Sequence, residues 1–144
     1  MKNDEGFTLI EVVAAIFILA LLLTSFMSLL VSAAKSTQVS KEIIDYTLIA
    51  QSEIETIYQV AQDSPKTEHL TVFVDQLGYM VASNQGNTIV YEKSTSQAFI
   101  SVTLSEYEDS ELLNETLSEL KVNAISHDNP NRGSQIESVI EWGG

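Results

Sequence analysis

Glu11 is a carboxylate near the start of an otherwise apolar run over residues 7–31. A charged side chain near the centre of a membrane helix costs roughly 2.5–3.5 kcal/mol, so Leu or Val would serve a simple anchor better. The carboxylate therefore calls for a partner. Cleavage of the chain after Gly6 would create one, because Phe7 would become a new N-terminus carrying an α-ammonium group. In a helix that begins at Phe7, Glu11 lies four positions on, one turn from that amine. A carboxylate in the first turn also complements the helix dipole, and a low dielectric strengthens the attraction well beyond its value in water. The amine of a neighbouring chain is an alternative partner, and that pairing would set the axial offset between two parallel helices. The sequence leaves both pairings open. In either, the chemistry is charge pairing.

Other reactive groups are scarce. His69 and His127 are isolated in sequence and read as solvated or packed side chains. Cysteine is absent, which excludes a disulfide, a thiolate metal site and a thiol nucleophile. No serine has the context of a nucleophile elbow, and no Gly-rich phosphate loop occurs. Glu106, Glu108, Asp109 and Glu111 carry oxygens of the kind calcium takes, but their spacing matches no loop template and reads as an exposed acidic turn. Asn114-Glu115-Thr116 is a glycosylation sequon by pattern only. The expectation is a chain that is no enzyme and holds no cofactor and no metal.

About 20 apolar residues suffice to span a bilayer, and no Gly or Pro occurs between Phe7 and Gln62. Beyond residue 31 the pattern turns amphipathic. Ile43, Ala50, Ile54, Ile57 and Ala61 recur at helical spacing, Ile44 and Leu48 widen the stripe, and Glu42, Asp45, Gln51, Glu53, Glu55 and Gln59 take other faces. Asp63-Ser64-Pro65 ends the pattern. The spacing predicts one helix of about 55 residues, roughly 80 Å long.

After Pro65 the period shifts toward two. Leu70, Val72 and Val74 predict a half-buried strand over residues 70–75. Residues 78–83 are predicted to pair with 88–93 across Asn84-Gln85-Gly86-Asn87, whose Asn and Gly suit positive φ. Residues 98–107 form a longer strand with Ile100, Val102 and Leu104 on one face. Residues 111–120 fit a short helix or the approach to a strand. Residues 121–126 and 135–142 read as strands around the loop Asp128-Asn129-Pro130-Asn131-Arg132-Gly133, with Ile136, Ile140 and Trp142 buried against the helix. The fold class is α+β: a long N-terminal helix on an antiparallel sheet of about four to six strands.

Charge narrows the partners. Residues 32–144 hold 17 acidic against 6 basic residues, in a chain of net charge −13. Such a surface repels phosphates and anionic lipid headgroups, which argues against direct nucleic-acid binding. It keeps an exported domain soluble or meets a basic partner.

Gly6-Phe7-Thr8-Leu9-Ile10-Glu11, followed by the apolar run, resembles the class III signal of type IV prepilins and type II secretion pseudopilins. The resemblance covers about the first thirty residues. It implies a pilin-like fold, cleavage between Gly6 and Phe7 by a membrane-embedded prepilin peptidase, and N-methylation of Phe7. Glu11 matches the glutamate of that motif. The segmentation implied is a leader over 1–6, a transmembrane half-helix over 7–31, an amphipathic half over 32–62 and the sheet part of the globular domain over 63–144. The implied partners are the peptidase, other pilin or pseudopilin subunits and an assembly-platform membrane protein. The implied location is the bacterial cytoplasmic membrane, single-pass with the C-terminal domain outside, and then a cell-surface or periplasmic filament. The positive-inside count does not support this orientation, since Lys2 faces Asp4 and Glu5 while Lys35 and Lys41 follow the run.

An ordinary secretory signal with a site at Val31-Ser32-Ala33 fits less well, because its apolar core would be too long and interrupted by a glutamate. A plain signal anchor leaves Gly6 and Glu11 unexplained. The run lacks the proline of many major pilins, and the chain lacks the C-terminal disulfide of many Gram-negative ones. The first departure leans toward a minor subunit. Ala50-Gln51-Ser52-Glu53-Ile54-Glu55 is similar to an Ala-x-x-x-x-Glu pattern of I-type minor pseudopilins and related minor pilins. The expected function is a structural minor subunit of a type IV pilus, type II secretion or competence pseudopilus. The alternative is a membrane-anchored or pilus-displayed binding module, an adhesin or a secretion-substrate receptor.

Overall fold

With no helix breaker to stop it, one α-helix, α1, covers Leu9–Gln62. The computed structural model describes residues 8–107 and 116–143. The chain divides into two units, Met1–Ser40 and Lys41–Gly144. In the first, every described residue is exposed. Its hydroxyl side chains stay on the helix: Thr24 and Ser25 both donate to the carbonyl of Leu21, each at 2.9 Å, and Thr37 donates to Ala33 at 3.0 Å. Such back-bonding removes the cost of an unpaired hydroxyl in apolar surroundings.

The second unit contains the rest of α1 and a five-stranded antiparallel meander: β1 (Met80–Gln85), β2 (Thr88–Ser94), β3 (Phe99–Glu106), β4 (Leu117–Ile125) and β5 (Gly133–Glu141), in spatial order β1-β2-β3-β4-β5. Alternation sets the register. Ile100, Val102 and Leu104 lie opposite Ala124, Val122 and Leu120, and all six are buried in one cluster with Ala50, Ile57 and Ala61 of α1 and with Ile140 and Trp142. Ile136 packs at its margin. Each fully buried Leu, Ile or Val contributes about 1.5–3 kcal/mol. Two alanines on the buried face of α1 allow the helix and sheet to approach closely.

The amphipathic stripe is placed differently from the expectation. Ile44 and Leu48 are exposed (58% and 59%), whereas Tyr46, Ile49 and Val60 pack against the core. Leu48 lies on the opposite side of the helix from Ile57, since nine residues make about two and a half turns, and Ile44 lies well off the face of Ala50.

Residues 70–75 are not a strand. Lys66–Glu68 is 3₁₀, His69–Thr71 α-helical and Val72–Gln76 a π turn. Neighbouring Val72 and Phe73 are both buried, while Leu70 and Val74 are exposed. A strand would send Val72 and Phe73 to opposite faces; the wide π turn turns both inward. Phe73 stacks on Tyr91 (4.2 Å between centroids, 9° between planes) and meets Tyr79 edge-on at 5.7 Å.

The β1–β2 turn is shorter than expected, with Gln85 pairing Thr88 around Gly86 and Asn87. Gly86 alone takes the positive φ there, +59°, while Asn84 and Gln85 extend β1. Strand β4 begins before residue 121, which resolves 117–120 as strand; residues 111–115 lie outside the described ones. The loop between β4 and β5 closes through Ser126 N–H to Arg132 O (2.8 Å) and Arg132 N–H to Asn129 O (2.9 Å). At the far end of β5, Gly143 N–H donates to Ala61 O at 2.9 Å. A Cβ on Gly143 would lie 1.6 Å from the Gln62 carbonyl oxygen, so only glycine can close this contact.

Candidate functional site

Thr8 stands just before α1 and caps it. Its carbonyl accepts the N–H groups of Glu11 (3.1 Å) and Val12 (3.2 Å), and its Oγ1 accepts the Glu11 N–H at 3.4 Å. Thr8-Leu9-Ile10-Glu11 is thus laid out as a capping box with Glu11 at its third helical position. The sequence reading starts the helix at Phe7, but it begins at Leu9. The threonine satisfies an N–H that has no intrahelical acceptor. Glu11 remains in the first turn, where the dipole favours a carboxylate. Gly6 and Phe7 lie outside the described residues.

The segment that follows Glu11 has no cover within its unit. Leu22 and Phe26 are 62% and 61% exposed, and large apolar residues from Leu9 to Val31 are similarly bare. The helix is long and apolar enough to cross a membrane. A helix apolar on all sides requires lipid or protein around it.

A second polar site lies between helix and sheet. Glu53 Oε2 accepts the Tyr79 hydroxyl at 2.7 Å and the Lys93 ammonium at 2.9 Å. Lys93 Nζ also sits 4.6 Å from the centre of the Tyr79 ring, within cation–π range. Burial raises the Tyr79 hydroxyl above the usual tyrosine range, and the Glu53 acceptor raises it further. The sequence reading puts Glu53 on a face away from the core. It is instead the polar tie from α1 to β2, and about three turns earlier on α1 Glu42 receives Arg132 at 2.7 Å. Helical spacing could have shown Glu53 beside Ala50 and Ile57; nothing in the sequence joined it to Tyr79 and Lys93. In the Ala50 to Glu55 pattern, Ala50 is buried and Glu55 is exposed, accepting Gln51 Nε2 at 3.4 Å.

The histidines also find partners. His69 Nδ1 shares a 2.7 Å hydrogen bond with the Tyr91 hydroxyl. Burial, and then the nearby Lys66 charge, hold His69 below the ordinary histidine value. Burial also pushes Tyr91 up to about 12. His127 Nε2 donates to the Thr95 carbonyl at 2.8 Å. Of the acidic turn, Glu106 accepts Asn87, while Glu108, Asp109 and Glu111 lie outside the described residues, as do Asn114 and Glu115 of the sequon.

A capped helix start with one carboxylate, an uncovered apolar helix and a meander sheet define a pilin-like architecture. Residues 1–27 match the prokaryotic N-terminal methylation motif. No curated protein and no solved structure matches the chain significantly. The matched motif marks the N-terminus as a signal of the prepilin type, and the long helix with a five-stranded antiparallel sheet is pilin-like in architecture. That motif implies processing by prepilin peptidase and assembly with other pilins.

Proposed function

We propose that the chain is a minor structural subunit of a pilus or pseudopilus, processed between Gly6 and Phe7 and N-methylated at Phe7. It assembles through its N-terminal helix, with Glu11 paired to an N-terminal amine, its own or a neighbour's. Residues 1–6 are the leader, 7–31 the membrane half of the helix, 32–62 its amphipathic half and 63–144 the sheet part of the globular domain. The subunit starts in the cytoplasmic membrane with the globular domain outside and passes into a filament by way of an assembly platform.

The observation that carries this reading is one carboxylate in the first turn of a helix whose apolar residues stand bare within their own unit, inside a matched methylation motif. Lipid would cover the apolar residues but would not compensate Glu11; a packed bundle of such helices with amines at their ends would do both. As support against the display alternative, the β1–β2 turn is only Gly86 and Asn87, and the β4–β5 loop is closed on itself by the Ser126 and Arg132 backbone bonds.

Replacing Gly6 with a bulky residue is expected to leave the precursor uncleaved, seen as loss of the shorter band in a membrane immunoblot; an unchanged mature band contradicts the processing site. Deletion of the coding region is expected to abolish surface filaments or secretion. Intact filaments with lost adherence would instead favour a displayed binding module.

A further inference from the structure

The two edges of the sheet differ. Strand β1 is short, and its register with β2 shifts between Val81 and Ser83, a bulge of the kind that blunts an edge against further pairing. Strand β5 pairs with β4 in unbroken register, from Leu117 opposite Glu141 to Ile125 opposite Gly133. It contains no proline, lysine or bulge, and its charges are all acidic, Glu137 and Glu141, so the edge is guarded only against partners of like charge. Among the described residues, no strand or loop hydrogen-bonds its backbone to the outer edge of β5.

Both ends of β5 are pinned. At its start, Arg132 Nη1 meets Glu42 at 2.7 Å, and the Thr47 and Ser134 hydroxyls are 2.8 Å apart. At its end, Trp142 N–H donates to Thr116 O at 2.8 Å and Gly143 N–H to Ala61 O at 2.9 Å. The edge is therefore held in place before any partner arrives, which lowers the ordering cost of binding.

Charge selects the partner. Glu137 and Glu141 are exposed along β5, beside Glu119 and Lys121 of β4. Lys121 pairs with Glu137 at 2.9 Å, which leaves carboxylate in excess. A second copy of β5 would set like charges against each other, whereas cations on an added strand would meet Glu137 and Glu141. The net charge of −13 acts in the same direction at longer range. We propose that the outer edge of β5 is a docking surface for an extended strand of a partner protein, bearing lysine or arginine at alternate positions and added to the sheet by backbone pairing.

The test uses the full chain in detergent micelles and peptides matched to the 9-residue length of β5. The probes are an alternating Val-Lys peptide, its Val-Glu counterpart, the Val-Lys peptide with alternate amides N-methylated, and the sequence of β5 itself. Fluorescence anisotropy reads affinity, and amide hydrogen exchange maps protection. The Val-Lys peptide should bind at least about ten-fold tighter than the other probes and slow exchange in β5. Glu141→Lys, which lies opposite Leu117 and leaves the Lys121–Glu137 pair intact, should shift preference toward the Val-Glu peptide without changing the thermal midpoint of the chain. Equal binding of the N-methylated peptide, protection away from β5, tightest binding by the β5 sequence, or no binding of any probe would each overturn the proposal.

Discussion

Residues 9–31 and residues 50–61 lie on the same helix, and both present aliphatic side chains at helical spacing. Each differs within its own unit: Ala50, Ile57 and Ala61 are fully buried in theirs, while Leu22 and Phe26 remain mostly exposed in theirs. In the second stretch the sheet supplies the cover, and polar residues at its margin are tied down locally, as Glu53 is by Tyr79 and Lys93. In the first, the only acidic residue is Glu11, and nothing within its own unit covers the apolar residues around it. The same residue types thus make a core in one place and an external contact surface in the other.

Truncating a side chain in each stretch gives the largest expected difference between them. Ile57→Ala should destabilise the chain by about 2–5 kcal/mol, as buried isoleucine truncations do, whereas Leu22→Ala should leave the thermal midpoint in micelles unchanged. Equal losses would mean that residues 9–31 belong to the same core. Glu53→Ala should cost less, about 1–3 kcal/mol, because it strands the Tyr79 hydroxyl and the Lys93 ammonium at a partly buried site. Combining it with Tyr79→Phe should recover part of that loss, and additive losses would show that the two side chains are not coupled.

The smallest effect is expected from His69. Its folded-state pKa lies below the ordinary 6.5, so the fold favours the neutral ring. The stability this contributes is fully present above about pH 6.5 and declines as pH falls from there toward the lowered folded value, where the unfolded chain binds the extra proton. The thermal midpoint between pH 7.5 and pH 5 should therefore fall more for the wild type than for His69→Asn. Parallel curves would remove His69 as the cause.

The legible parts of the sequence were those with a long, uniform period. Residues 7–62 offered no breaker, and 98–107 alternated cleanly, so α1 and β3 emerged close to their observed bounds. The stretch from Lys66 to Gln76 misled because Leu70, Val72 and Val74 alternate over too few residues to separate a strand from a tight helical turn. Its burial is decided by Phe73 stacking on Tyr91, a contact between residues far apart in sequence. The side of α1 that meets the sheet was misjudged at Ile44 and Leu48 because hydrophobicity alone does not reveal where a sheet stops. At the candidate site, the Glu11 carboxylate was conspicuous by its energetic cost, but the capping role of Thr8 was hidden behind the expectation that the helix begins at Phe7.

That cap supplies a competing explanation for Glu11 and also the means to separate the two. Glutamine serves in a capping box much as glutamate does, yet carries no charge to pair with an amine. The decisive measurement is the amount of Glu11→Gln subunit in purified filaments relative to its processed pool in the membrane, beside Glu11→Val. Charge pairing predicts that both variants are cleaved and inserted normally and that both fall at least about ten-fold in incorporation, the equivalent of roughly 1.4 kcal/mol. Normal incorporation of Glu11→Gln, with a loss confined to Glu11→Val, would show that the residue only caps its helix.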